Sequence, residues 1–112
     1  MQQLMTRAPQ TTAIMCINDE VALAAASWAN KVELKVPRDL SVVGCNNIDL
    51  AQFFEPSLTT LEINIQAMVN TALDLLISEV DSDAETPADK PIKILVPANL
   101  IVRGSTGPPL RK

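Results

Sequence analysis

The segment from Thr12 to Asn47 constrains this chain more than any other part of it. It reads Thr-Ala-Ile-Met-Cys-Ile-Asn-Asp-Glu, then an alanine-rich stretch, then Pro-Arg-Asp-Leu-Ser-Val-Val-Gly-Cys-Asn-Asn. Two apolar runs of strand length joined by a helix of about a dozen residues make a βαβ unit, and a crossover of that length implies a parallel sheet. Both runs end in asparagine, which gathers polar side chains at the carboxyl edge, where open α/β sheets bind ligands. The pattern is that of a ligand-binding sheet without catalytic machinery.

The flanking residues extend this reading. Met1 to Arg7 finishes a helix, and Pro9 marks its stop. Thr12 to Ile17 is the first strand. Asn18 stands where an N-cap belongs, and Asp19 and Glu20 occupy the first turn, where carboxylates favour the helix dipole. The helix runs to about Lys31 and is apolar nearly all round through Val21, Ala22, Leu23, Ala24, Ala25, Ala26, Trp28 and Ala29. Such a helix needs cover on more than one side. Leu40 to Cys45 is the second strand, Ile48 to Phe54 a short helix stopped before Pro56, and Leu58 to Ile63 an extended segment. Asn64 opens an amphipathic helix with Ile65, Met68, Val69, Ala72, Leu75, Leu76 and Val80 at three-four spacing, so Met68 reads as core packing. Residues 81–91 are acidic, contain two prolines and form an exposed loop; Ile92 to Val102 is extended but divided by Pro97, which cannot donate to a ladder.

Composition removes several function classes. A chain of 112 residues is one small domain or part of a larger one, and 47% apolar with 20% charged residues is a globular balance. The net charge is −4 with no basic cluster, so the segment itself has no means of neutralising nucleic-acid phosphates. Two cysteines and no histidine argue against a metal site, and no cofactor is expected. Cys16 and Cys45 each close a strand and read as buried, reduced thiols, with a disulfide or redox pair as the alternative. No apolar run approaches the roughly 18 residues of a membrane span, and Met1 to Arg7 lacks the pattern of a signal peptide. A soluble, cytoplasmic chain is expected.

Four motifs then occur in order. They are Thr12 to Leu23 with its Asn18-Asp19-Glu20 turn, Val36-Pro37-Arg38-Asp39-Leu40-Ser41-Val42-Val43-Gly44, Pro56-Ser57-Leu58-Thr59-Thr60, and Val102-Arg103-Gly104-Ser105-Thr106. Together they resemble the carboxyl-terminal part of the effector-binding core of the lactose/galactose repressor family, which shares its fold with periplasmic sugar-binding proteins. The resemblance implies a periplasmic-binding-protein-like α/β fold, a parallel sheet flanked by helices, present here as an incomplete piece. It implies two lobes joined by three chain crossings, two of them near Ile63 and Pro97, with the effector held between the lobes. Residues 1–63 would belong to the C-terminal lobe, 64–97 with the 81–91 loop to the N-terminal lobe, and 98–112 to the return and tail. The first part of the core and a helix-turn-helix headpiece would lie elsewhere, so DNA would be reached only through that headpiece.

The function this implies is effector sensing by a bacterial transcriptional repressor, without catalysis. The alternative is a periplasmic sugar receptor of a transporter, which would need a signal peptide. An enzyme on a doubly wound fold is a further class, opposed by the missing histidine, the missing Gly-rich phosphate loop and a total of three glycines. A truncated product without function is another.

Carried over position by position, Asn18 sits where the family has an asparagine that reaches the effector. Asn46 sits where an aspartate usually binds sugar hydroxyls; the amide keeps the size, removes the charge and adds an NH2 donor. Ile63 stands where glutamine is frequent. Each assignment has a plain structural counterpart: Asn18 as an N-cap, and Asn46 and Asn47 as turn residues, with Asn47 read as structural. Arg103 reads as a tail-fixing ion pair. A homodimer face is expected from Ala24, Ala25 and Trp28 with Ala51, Phe53 and Phe54. The expected effector is neutral and rich in hydroxyls, a sugar or sugar derivative, because Asp19 and Glu20 would repel a phosphate at the helix start. In isolation the segment should expose sheet edge and apolar surface.

Overall fold

The parallel βαβ unit forms, and the rest of the sheet is added to it in chain order. The computed structural model describes residues 1–81 and 92–109, so the expected loop at 81–91 lies, after Asp81, outside the described residues. Helix α1 (Gln2–Arg7) leads into strand β1 (Ala13–Met15), helix α2 (Asp19–Lys31) and strand β2 (Ser41–Cys45). A 3-10 turn (Asp49–Gln52) precedes strand β3 (Thr59–Ile63), helix α3 (Ile65–Val80) and strand β4 (Ala98–Ile101). The sheet order is β1-β2-β3-β4, and both β1 and β3 run parallel to β2. The chain divides into two compact units, residues 1–63 with 99–112 and residues 64–98.

In the first unit, α2 covers one face of the sheet. Its buried residues Asp19, Ala22, Leu23, Ala25, Ala26 and Ala29 follow helical spacing, whereas Val21, Ala24 and Ser27 are exposed. The helix that reads as apolar all round thus has one buried stripe. Alanines on that stripe let the helix axis approach the strands closely. Ala22, Leu23, Ala26 and Ala29 form the core with Leu40, Val42, Ala51 and Leu58, and Ile14, Cys16, Trp28, Ile48 and Phe54 pack at its margin. Fully burying each leucine contributes about 1.5–3 kcal/mol. The opposite face is less covered: β1 ends the sheet, Met15 is 66% exposed and Ile17 is 84% exposed.

Strand β1 is shorter than the expected Thr12 to Ile17, although the Cys16 N–H still donates to Val43 O at 2.8 Å. The register pairs Met15 with Val43, which places Cys16 opposite Gly44 rather than Cys45. Side chains alternate along a strand, so the two sulfurs belong to opposite faces. Both cysteines are free, which closes the disulfide alternative, and burial pushes the Cys16 thiol up.

In the second unit, α3 starts at Asn64, whose Oδ1 accepts from the Ala67 N–H at 3.0 Å. The amphipathic helix is present, but none of its residues is buried. Met68 is 47% exposed, which corrects its reading as core packing. The extended segment from Ile92 becomes regular only at β4, immediately after Pro97, whose missing N–H prevents an earlier start. Among the described residues, no helix is long and apolar enough to cross a membrane.

Candidate functional site

The carboxyl ends of β1 and β2 hold the polar residues that the sequence places there. Asn18 caps α2, with φ −151° and Oδ1 accepting the Val21 N–H at 2.9 Å. The cap engages only the oxygen and leaves the NH2 group available as a donor. Cap and ligand contact are therefore compatible in one side chain. Beyond β2 the backbone turns through two left-handed residues, Asn46 at φ 101° and Asn47 at φ 50°. Asparagine is among the few non-glycine residues that accept this region. Asn18 and Asn46 each lie three residues past the register pair Met15–Val43, so they leave neighbouring parallel strands side by side.

The two turn asparagines differ in what they touch. The Asn46 N–H donates to Leu61 O at 2.8 Å, but its exposed side-chain amide has no hydrogen-bond partner among the described residues. Asn47 is fully engaged: its N–H reaches Thr60 Oγ1 at 3.3 Å, its NH2 group donates to Glu62 Oε1 at 2.9 Å, and its Oδ1 accepts from Arg103 Nη2 at 2.7 Å. Asn47 is structural in this geometry. Arg103 also donates through Nη1 to Leu58 O at 2.8 Å. It fixes the tail as the sequence suggests, but onto an amide and a carbonyl instead of in an ion pair.

Asp19 departs from expectation. The sequence reading sets it beside Glu20 as an exposed carboxylate facing any anion at the helix start. In the structure Asp19 is 0% exposed, with Oδ1 accepting from the Thr60 hydroxyl at 2.6 Å and Oδ2 from the Ile48 N–H at 2.8 Å. Of the two carboxylates, only Glu20 is exposed at this turn. A Cβ at position 44 would overlap Asp19 Oδ1 and come within 3.0 Å of Leu58 Cδ2, which explains the glycine. The sequence carried one signal of this contact, a glycine inside an otherwise apolar strand, which marks a close approach.

At the opposite, amino end of the strands, the tail is stitched in place by hydroxyls. Ser105 is 0% exposed; its Oγ accepts from the Thr59 N–H at 2.8 Å and donates to Val42 O at 2.6 Å. Ser41 Oγ accepts from the Gly107 N–H at 3.1 Å, and Thr59 Oγ1 accepts from the Arg103 N–H at 2.9 Å. The Arg-Gly-Ser-Thr motif is a fastening for β2 and β3.

The expected subunit face is only partly a surface. Phe53 is 76% exposed and Ala24 is exposed, while Trp28 and Phe54 are half-buried. Ala25 and Ala51, at 3% and 0% exposure, are buried within the chain and lie beneath that face, which corrects their placement on it. Ala51 belongs to the core under the 3-10 turn. Ile63 is half-buried as the last residue of β3.

A family model described as a periplasmic binding protein-like domain matches residues 1–106. The chain belongs to that family. It is 39% identical over 106 residues to the HTH-type transcriptional repressor CytR of Escherichia coli K12, a match covering 95% of this chain and 30% of CytR. Among solved structures, the transcriptional regulator CelR–cellobiose complex superimposes with TM-score 0.77 at 28% identity, covering 93% of this chain and 31% of CelR. The lac repressor dimer bound to operator and an anti-inducer gives TM-score 0.76 at 27% identity, covering 93% of this chain and 35% of the repressor. The periplasmic-binding-protein-like α/β fold and the kinship with repressors of the lactose-repressor type, both expected from the four motifs, therefore stand. The chain spans about a third of the length of these relatives.

Proposed function

We propose that this periplasmic binding protein-like chain is an effector-sensing portion of a bacterial transcriptional repressor, and that its Asn18 and Asn46 grip a neutral, hydroxyl-rich molecule. The observation that carries this reading is the state of Asn46. Its backbone is held in a left-handed conformation, yet its side-chain amide has no hydrogen-bond partner among the described residues, while neighbouring Asp19, Asn47, Thr60 and Arg103 are all engaged. A polar side chain presented this way at the carboxyl edge suits a ligand. Amides both donate and accept, as sugar hydroxyls do. Arg103, the nearest cation in the network, is used by Leu58 and Asn47, and exposed Glu20 disfavours an anionic ligand at the helix start. The likeness to a regulator bound to cellobiose supports a sugar.

In this reading residues 1–63 and 98–112 belong to one lobe and 64–97 to the other. Effector binding favours one closure and so shifts headpieces carried elsewhere in the protein. The protein acts in the cytoplasm as a homodimer through a face containing Ala24, Trp28, Phe53 and Phe54, and it catalyses no reaction. Gel-shift assays of the full-length protein on DNA flanking its own gene, with cellobiose, lactose, glucose and galactose and with glucose 6-phosphate, test this. A neutral sugar should alter operator affinity at lower concentration than the phosphorylated one. No DNA binding under any condition, or a response confined to the phosphorylated sugar, contradicts the proposal.

A further inference from the structure

The turn that presents Asn46 is held by three successive backbone amides. Asn46 N–H is bonded to Leu61 O, Asn47 N–H to the Thr60 hydroxyl, and Ile48 N–H to Asp19 Oδ2. The first two bonds go to β3, and the Thr60 hydroxyl itself donates to Asp19 Oδ1. One buried carboxylate at the start of α2 thereby joins the chain leaving β1 to the turn after β2 and to Thr60 of β3. No lysine or arginine forms an ion pair with it among the described residues. A buried carboxylate without a cation is expensive unless its lone pairs are satisfied, and here two donors and the helix N-terminus do so. Its presence also dictates glycine at position 44. The arrangement costs the core two apolar positions, and its direct effect is on the geometry of the 46–48 turn.

We propose that Asp19 is a positioning residue for effector recognition: by holding Ile48 and Thr60 it sets where the Asn46 amide stands. This rests on the reading of Asn46 as a ligand contact. Both carboxylate oxygens act as acceptors, an arrangement asparagine does not reproduce: its NH2 would oppose the Ile48 N–H or, turned to Thr60, make that hydroxyl give up its donor bond and accept instead. Asp19→Asn is therefore the discriminating substitution, because it preserves size and removes only the second acceptor. Thr60→Ser keeps the hydroxyl and serves as the conservative control, and Thr60→Val removes it.

The test is amide hydrogen exchange in the full-length protein, followed by a thermal-shift titration with cellobiose, lactose, glucose and galactose. In Asp19→Asn, exchange at Asn47 and Ile48 should rise about 10- to 100-fold, the effect of losing one hydrogen bond to a charged group. The amides of Val42 and Thr59, bonded to Ser105 at the far end of the strands, should keep their protection. Thr60→Ser should behave as wild type, and Thr60→Val should loosen the turn. The sugar response of Asp19→Asn should weaken at least tenfold. Unchanged exchange at 47–48, a uniform rise that includes Val42 and Thr59, or a loosened turn with full sugar response each overturns the positioning role. If the unsubstituted protein responds to none of the sugars, the sugar reading fails, and the exchange data still decide whether Asp19 places Asn46.

Discussion

Replacing Ser105 with alanine removes one oxygen atom from a fully buried position and should still be among the costlier changes in this chain. The hydroxyl accepts from the Thr59 N–H at 2.8 Å and donates to Val42 O at 2.6 Å, filling a gap between the amino ends of β2 and β3. The main-chain bond from the Val42 N–H to Ser105 O at 2.9 Å survives the substitution. What remains is one buried donor and one acceptor without their hydroxyl partner, each carrying about 1–3 kcal/mol of uncompensated desolvation. The vacated space is a single oxygen in a residue with no solvent exposure, too small for a replacement water. The expected loss is about 2–5 kcal/mol, and even its lower bound is roughly a 30-fold shift in the opening equilibrium. Native-state hydrogen exchange in the full-length protein reads this residue by residue. The Thr59 amide should lose most protection and the Val42 amide less, because only Thr59 donates to the hydroxyl. A change below about 0.5 kcal/mol, the size of an ordinary surface substitution, refutes the reasoning.

Three further outcomes follow from the same geometry. Phe53→Asp, at a 76% exposed position, should shift the full-length protein toward monomer in sedimentation without lowering its melting temperature, whereas Ala25→Glu forces a charge into a 3% exposed site and should destabilise the fold first. Asp39 accepts from the Arg38 side chain and the Lys35 N–H, which hold its carboxyl below the usual carboxylate range. A depressed carboxylate contributes stability above its unfolded pKa and loses it as pH falls through the folded one, so NMR titration should give a low midpoint that Arg38→Ala moves back up. Oxidation with a mild reagent should produce no Cys16–Cys45 bridge in the folded protein, because β1–β2 register puts the two on opposite faces; a bridged species on a non-reducing gel contradicts that register.

Local periodicity carried most of the fold. The parallel βαβ unit, both helix caps at Asn18 and Asn64, and the 3-10 turn before Pro56 were readable because each depends on spacing within a few residues. Burial was less readable, since it depends on what covers an element. Alanines look alike on every side of α2 and of the 3-10 turn, so Ala25 and Ala51 passed for surface, and the stripe of α3 passed for core. In the candidate site, the places of Asn18 and Asn46 at strand ends were legible, while the ligand role proposed for Asn46 came from the resemblance and not from its residues; Asn47 was legible from its turn chemistry. Asp19 was not, because its partners Ile48 and Thr60 are 29 and 41 residues away and are brought near only by strand order. The same separation hid the true partners of Arg103, whose charge suggests a carboxylate but whose neighbours at the β3 end are an amide and a carbonyl.

In the proposed function the side-chain amide of Asn46, without a partner among the described residues, contacts the effector. Calorimetry of full-length Asn46→Ala, with the neutral sugar that alters operator binding of the unsubstituted protein, measures it directly. Losing such a hydrogen bond in a closed site costs about 1–3 kcal/mol, so affinity should fall by roughly one to two orders of magnitude. DNA binding without sugar should be retained, and the melting temperature should fall only by the modest cost of alanine at a left-handed position, because the Asn46 side chain has no hydrogen-bond partner among the described residues. Unaltered sugar affinity in this variant would contradict the account.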